Sequence, residues 1–340
     1  MSALRYAGEG AFEIFSTFPP EPGPGEVSIS VRACGICGTD LQVLAHPQGH
    51  PARPGVILGH EFAGEVTAVG DGVDSSVVPG TRVVVAPDLG CGHCPECRLG
   101  QPMSCGEQVN LGINRDGGFA DHATVPSACC YPLPDRLGWV EASLVEPLAC
   151  VPEALGRVQW RTGPRSAAVV GGGPMGVLAT AALAGAGVAP LVAFEPSKLR
   201  RALLERCGAS ATADGSEVAP DVYRALTHGD RAPSLVFNAT GHLLAECIEL
   251  AAPRGTVVQL GYARQATVVM EPRRLVEKGL VVIGSNGTEF ASQAGLEKAA
   301  GGELPLSKMV TARIGLSEFG SMSDRMRAGL EGKVVVTGFE

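Results

Sequence analysis

The sequence predicts an α/β protein in two parts, a mostly-β first part and a second part built on a doubly wound parallel sheet. Three observations carry this. Up to about residue 150, short stretches of period-two alternation are punctuated by Gly and Pro. From about Val151, short apolar runs alternate with helical stretches, the pattern of strands joined by crossover helices. Between one such run and a helix lies Gly171-Gly172-Gly173-Pro174-Met175-Gly176, a G-x-G-x-x-G turn in the context that gives the motif meaning. At 340 residues the chain is also too long for one ordinary core.

In the first part, Pro19-Pro20-Glu21-Pro22-Gly23-Pro24-Gly25 is a connector that cannot be helical. Val27, Ile29 and Val31 then alternate with Ser28, Ser30 and Arg32 as a half-buried strand. Val66–Val69 and Thr81–Val85 read as further strands. In the second part Ala167–Val170 runs into the glycine turn, and Val177–Ala186 follows as helix. Gly171 permits the tight turn, Gly173 lets the backbone approach a pyrophosphate, and Gly176 lets the helix lie against the strand. The next strand, Leu191–Phe194, ends at Glu195, where an acid accepts hydrogen bonds from ribose hydroxyls of NAD. A helix over Ser197–Cys207 stops at Gly208. Strands follow at Leu235–Asn238, Thr256–Leu260 and Leu280–Ile283. Ligands of such sheets sit at the carboxyl ends of strands, which makes Leu260, Gly261, Ser285 and Asn286 candidate cofactor neighbours, although ordinary strand ends read the same.

Composition narrows the function. A net charge of −8, with no basic run, argues against nucleic acid as the main partner. No apolar run has the roughly 18 residues of a membrane span. No signal peptide is visible at the N-terminus, so the eleven cysteines are expected in a reducing cytoplasm.

Four of those cysteines, Cys91, Cys94, Cys97 and Cys105, have C-x2-C-x2-C-x7-C spacing. Four thiolates this close suit the closed sulfur tetrahedron of a structural zinc site. A disulfide pair would need an oxidising compartment. His93 within the loop is expected to be solvated, since four sulfurs fill the shell. Cys129, Cys130, Cys150, Cys207 and Cys247 lie in apolar surroundings and read as packed thiols. A second constellation is Cys37, His60 and Glu61. A thiolate, an imidazole and a carboxylate can hold zinc and leave a position open for substrate. Taken singly, such a Cys is more often core and such a Gly-His-Glu a turn.

With these motifs in place, the chain resembles the zinc-dependent medium-chain dehydrogenases, the alcohol, polyol and threonine dehydrogenase superfamily. The resemblance rests on Cys34-Gly-Ile-Cys-Gly-Thr-Asp40, Gly59-His-Glu61, the four-cysteine lobe, Asp116-Gly-Gly-Phe-Ala-Asp121, Glu146-Pro-Leu148 and the glycine turn, and it covers nearly the whole chain. It implies a GroES-like catalytic domain over 1–150, a Rossmann domain over 151–285 and a return to the catalytic domain over 286–340, with Lys333–Thr337 as last strand. It implies Cys37 and His60 as ligands of a catalytic zinc and Glu61 as a third ligand or a carboxylate just behind it. Glu146 would bind the zinc directly or through its water. Thr39 would hydrogen-bond the substrate oxygen, and Arg200 would flank the adenine of NAD. The expected reaction is hydride transfer between a secondary alcohol and NAD in a homodimer or homotetramer. The polyol-type Glu146-Pro147-Leu148 leans toward a polyhydroxylated substrate. A zinc-free quinone-type reductase and a non-catalytic NAD-binding redox sensor are the alternatives, and both would be expected to lack part of this set. One departure stands out: Gln42 occupies the position where many relatives carry a proton-relay His, and an amide does not exchange a proton near neutral pH. His46 and His50 lie nearby in sequence.

Overall fold

The computed structural model describes residues 1–340 except 159–164, 230–231, 265, 288–291, 303 and 340, and except the side chain of residue 292. Two sheets organise the chain. The first has seven strands, centred on Glu26–Gly35, which pairs antiparallel with Glu61–Val69, His122–Pro126 and Lys333–Gly338. Alternation in Glu26–Gly35 points Val27, Ile29 and Val31 into a core shared with Leu4, Phe62, Val66 and Phe119. A hairpin, Ser2–Gly8 with Ala11–Ser16, covers this unit; its strands gave no period-two signal strong enough to be read beforehand.

The second sheet is parallel, in the order Ala211–Ala213, Leu191–Phe194, Ala167–Val170, Leu235–Asn238, Thr256–Gln259, Val281–Gly284. Both faces of its central strands are buried. Ala168, Val170, Val192, Phe194 and Val236 face one cluster, while Ala167, Val169, Leu191, Ala193 and Phe237 face the other. That two-sided burial explains why these strands read as unbroken apolar runs. The strand order reverses at Ala167–Val170, so the glycine turn opens at the switch point where open sheets take ligands.

The turn's geometry is set by three glycines. Gly171 has φ +97, a conformation L side chains rarely adopt. A Cβ on Gly176 would lie 1.8 Å from the Gly171 carbonyl oxygen, whereas a Cβ on Gly173 would meet nothing within 4 Å. Helix Pro174–Gly185 starts with Pro174, whose absent N–H would be unpaired at that position anyway.

Residue 150 is not a boundary in three dimensions. Helix Val145–Gly156 runs through it, and its Val145, Leu148, Val151 and Ala154 share a core with the parallel-sheet unit. Leu296, Ala299, Leu306 and Met309 belong to that same core, and the chain rejoins the first sheet at Val310–Gly315. Packing of this kind is not recorded by motif spacing.

Gly176→Ala should therefore lower stability by about 1–3 kcal/mol, the usual cost of forcing an atom into a filled site. Gly173→Ala should cost much less, because its Cβ has room. Denaturant midpoints of the two variants check this, and equal midpoints would refute it.

Candidate metal and dinucleotide site

Gly59 turns the chain into strand Glu61–Val69 with φ +91, and a Cβ there would strike Cys34 Sγ and Phe119. That close approach carries His60 and Glu61 to the end of strand Glu26–Gly35, beside the start of helix Gly38–Val43. Cys37 is the N-cap of that helix, and its N–H donates to Asp40 Oδ2 at 2.9 Å. One ligand atom each from Cys37, His60 and Glu61 lie within 4.8 Å of one another. The Thr39 hydroxyl is 3.7 Å from Cys37 Sγ.

The residues around this set fit a metal. Asp40 is fully buried, and its Oδ1 faces His60 Nδ1 at 3.6 Å, both atoms lacking a hydrogen-bond partner. A buried carboxylate so placed accepts the Nδ1 proton when the other ring nitrogen binds a cation, which fixes the imidazole's tautomer and aim. Burial alone would depress the His60 pKa, but Asp40 and Cys37 beside it hold it well above its ordinary value. The set thus carries excess negative charge that a divalent cation would offset.

Lys333 opens the last strand of the first sheet and is 1% exposed. Its ammonium pairs with Glu61 Oε2 and donates to the Ile36 carbonyl at 3.1 Å. Gly35 makes room for the pair: a Cβ there would lie 2.3 Å from Glu61 Oε2 and 2.8 Å from Lys333 Cε. Sequence reading passed over Lys333 as the start of an apolar strand. The available signal was a lone Lys before Val334-Val335-Val336, since a lysine in a buried run needs a partner. One oxygen of Glu61 is thus committed to Lys333.

Glu146, near the start of helix Val145–Gly156, does not join Cys37 and His60 in a mutually close set. Burial pushes its carboxyl up to about 8, against the opposing pull of His60. Cys150, one turn on, places its thiol 3.9 Å from Glu146 Oε1. Gln42 donates from Nε2 to the Tyr262 carbonyl at 3.0 Å, crossing between the two units. His50 stands edge-on to the Tyr262 ring, with its Nδ1 2.8 Å from the Pro51 carbonyl.

The sulfurs of Cys91, Cys94, Cys97 and Cys105 also lie within 4.8 Å of one another. Backbone N–H groups of Cys91, Cys94, Cys97 and Glu107 point at these sulfurs at 3.4 Å, the arrangement that stabilises thiolates around zinc. His93 is exposed, as expected for a loop residue outside the sulfur shell. All eleven cysteines are free.

At the glycine turn, Glu195 Oε2 accepts from the Gly172 N–H at 2.6 Å and Oε1 from the Ser197 N–H at 2.8 Å. These bonds hold the carboxylate across the mouth of the turn, beside the open space at Gly173. Leu260 and Gly261 are fixed by N–H bonds to the Asn238 carbonyl at 3.0 and 3.1 Å. Ser285 Oγ is buried without a partner, and Asn286 is exposed. Arg200 lies on the helix that follows Glu195. Its guanidinium donates to the carbonyls of Glu331 and Met326 at 3.0 and 2.7 Å, tying its helix to the chain's return segment. Arg201 sits behind Glu195, on the carbonyls of Glu195 and Pro196.

Replacing Lys333 by Met should destabilise the protein by about 3–5 kcal/mol, because it leaves the Glu61 carboxylate buried and unpaired. Lys333→Arg should recover part of the loss by keeping the charge. Denaturant unfolding reads both, and a native midpoint for Lys333→Met would mean that the pair carries no weight.

Comparison with known proteins agrees with this geometry. Residues 23–135 match the alcohol dehydrogenase GroES-like domain, and residues 174–299 match the zinc-binding dehydrogenase family. The chain is 32% identical to L-threonine 3-dehydrogenase of Pyrococcus horikoshii, over 96% of this chain and 95% of the relative. It is 32% identical to D-altritol 5-dehydrogenase of Agrobacterium fabrum, over 94% of each. A Sinorhizobium meliloti protein described as a zinc-binding dehydrogenase, solved bound to NADP, superposes with a TM-score of 0.90 at 33% identity, covering 99% of this chain and 98% of that one. With both domain families matched in order and relatives aligned over nearly its full length, the chain belongs to the zinc-dependent medium-chain dehydrogenases, oxidoreductases of alcohols and polyols that use zinc and NAD(P).

Proposed function

We propose that this protein transfers a hydride between NAD and the secondary carbinol of a polyol-, cyclitol- or amino-alcohol-type substrate. The observation that carries the reading is the Cys37, His60 and Glu61 set, backed by the orphaned Asp40–His60 contact and with Thr39 beside the thiolate. Cys37 and His60 would hold the catalytic zinc, with Glu61 as third ligand or just behind it and Glu146 acting directly or through water. Cys91, Cys94, Cys97 and Cys105 would hold the structural zinc. Bound zinc supplies Lewis acidity at the substrate oxygen, and the dinucleotide supplies the two-electron acceptor. Thr39 orients that oxygen and moves its proton outward. Gln42 cannot pass the proton on, and its Nε2 is already given to Tyr262.

NAD is favoured over NADP by Glu195. Its carboxylate stands where the adenosine ribose hydroxyls arrive, and a 2′-phosphate there would meet like charge. Arg201 is engaged with the carbonyls behind Glu195. The NADP-bound Sinorhizobium relative makes this choice one to measure. The reading places the enzyme in the cytoplasm as a homodimer or homotetramer. Edge strand Val281–Gly284, with Val281 51% and Val282 40% exposed, supplies a face a second copy would cover. Among the described residues no helix is long and apolar enough to cross a membrane.

The test is a screen of polyols, cyclitols, amino alcohols and simple alcohols against both dinucleotides, together with a metal assay. Two zincs per chain and zinc-dependent NAD reduction are expected; at most one zinc, with no alcohol oxidised, would favour a zinc-free reductase. Catalytic efficiency with NAD should exceed that with NADP by about 10-fold or more, the scale of one unfavourable contact of roughly 1.4 kcal/mol. Glu195→Ala should narrow the gap by weakening NAD and relieving NADP together. An unchanged ratio in Glu195→Ala would remove Glu195 as the selector.

A further inference from the structure

Two of the three residues in the Cys37, His60 and Glu61 set are backed by a buried charge, and the two charges have opposite signs. Behind His60 stands the Asp40 carboxylate, fully buried, with Oδ1 3.6 Å from Nδ1. Behind Glu61 stands the Lys333 ammonium, paired with Oε2 and as deeply buried as Glu61 itself. A carboxylate behind an imidazole raises its strength as a ligand. A cation behind a carboxylate does the reverse, because part of the carboxylate's charge is already answered.

The backbone keeps Lys333 at this post. Its strand, Lys333–Gly338, lies antiparallel to Glu26–Gly35, with Val335 opposite Gly35 and Val336 opposite Cys34. The Ile36 N–H donates to the Val334 carbonyl at 2.9 Å, so the same strand holds the residue before Cys37. The ammonium in turn donates to the Ile36 carbonyl at 3.1 Å. Lys333 therefore touches both segments that deliver ligands, Glu61 directly and Cys37 through its neighbour. Space around it is filled: a Cβ on Gly35 would lie 2.8 Å from Lys333 Cε and 2.9 Å from Nζ. So dry a place has no bulk water to solvate Glu61 if the ammonium is removed.

We propose that Lys333 is a positioning residue that competes with the catalytic cation for the Glu61 carboxylate, and so holds the zinc affinity of the Cys37, His60 and Glu61 set below what those ligands alone would give. The proposal rests on the zinc-dehydrogenase reading above. A cation that binds Glu61 must share the carboxylate with the ammonium and meet its like charge. Without Lys333, the metal-free protein would carry Glu61 buried and unanswered, whereas in the zinc-loaded protein the metal would answer it. Losing Lys333 thus destabilises the metal-free state more than the loaded state, and the difference appears as tighter zinc binding. That sign is opposite to the usual one, since removing a group that merely orients a ligand weakens metal binding by about 10- to 100-fold. Sharing of this kind leaves the cation more of its own charge for a substrate oxygen.

The test measures zinc affinity by chelator competition on the zinc-loaded protein, with the zinc that Cys37→Ser fails to hold identifying the site. Lys333→Met and Lys333→Gln should each bind that zinc more tightly than the wild type by about 10-fold or more, the scale on which groups behind a ligand act. Lys333→Arg keeps the charge and should bind it more weakly than either neutral variant. Zinc should also raise the melting temperature of Lys333→Met by more than it raises that of the wild type, a difference that a merely structural lysine would not produce. Should metal-free Lys333→Met fail to fold, or the two neutral variants disagree, Lys333→Gln decides, because it keeps a donor for Glu61 and drops only the charge. Unchanged or weaker zinc binding in Lys333→Gln overturns the proposal. A wild type that holds no Cys37-dependent zinc overturns the dehydrogenase reading and the proposal together. A wild type that binds this zinc but oxidises no alcohol overturns the reading of activity alone, and the affinities still decide the role of Lys333.

Discussion

The Glu61–Lys333 ion pair is the contact on which the first unit depends. It joins residues 272 apart in sequence, both 1% exposed, at the point where three strands of the sheet converge on the metal set. Two charges in so dry a place are tolerable only together, because either alone would carry the full cost of desolvation. Burial lowers the Lys333 pKa, but Glu61 beside it more than reverses this, so the ammonium stays charged. The ammonium also constrains the metal chemistry. With one oxygen of Glu61 engaged by Lys333, what Glu61 offers a cation is its other oxygen, at reduced charge. Gly35 is glycine because the pair occupies the space its side chain would need.

Charge balance around the cleft follows from that pair. Cys37, Asp40, Glu61 and Glu146 crowd one region, and among the described residues Lys333 is the lysine that answers them from within. A divalent cation at Cys37 and His60 would supply most of the missing positive charge. Burial pushes the Glu146 carboxyl up to about 8, while Asp40 and Cys37 hold His60 above its ordinary value against burial. The second unit uses no such cluster. What it would offer a dinucleotide is backbone N–H groups, the open space at Gly173 and the carboxylate of Glu195.

Much of this was legible in the sequence where local pattern and chemistry coincide. The glycine turn, Glu195 and the four-cysteine lobe are each contained in a short segment, so spacing alone defines their geometry. Cys37 with His60 and Glu61 was readable because distinctive ligand types occur in a recognised order. What stayed hidden depends on tertiary contact. Lys333 meets Glu61 only once the last strand is laid beside Glu26–Gly35. Nothing local shows that the carbonyls of Met326 and Glu331 come to Arg200. The helix across residue 150 was missed because motif borders and packing borders are different things.

The strand Lys333–Gly338 sits between Val310–Gly315 and Glu26–Gly35, and its Val334 and Val336 belong to the first unit's core. A ribosome makes the chain from the other end. The parallel sheet, whose strands all lie between Ala167 and Gly284, is complete in sequence before that strand emerges. The first unit, although synthesised earlier, must wait with an open sheet edge and an unanswered Glu61 until its final strand arrives. Such a long closure is slow and leaves apolar surface uncovered meanwhile. Nascent chains stalled before Lys333 should thus display a finished nucleotide-type unit tethered to an unfinished first sheet, the state in which a chaperone would meet this protein.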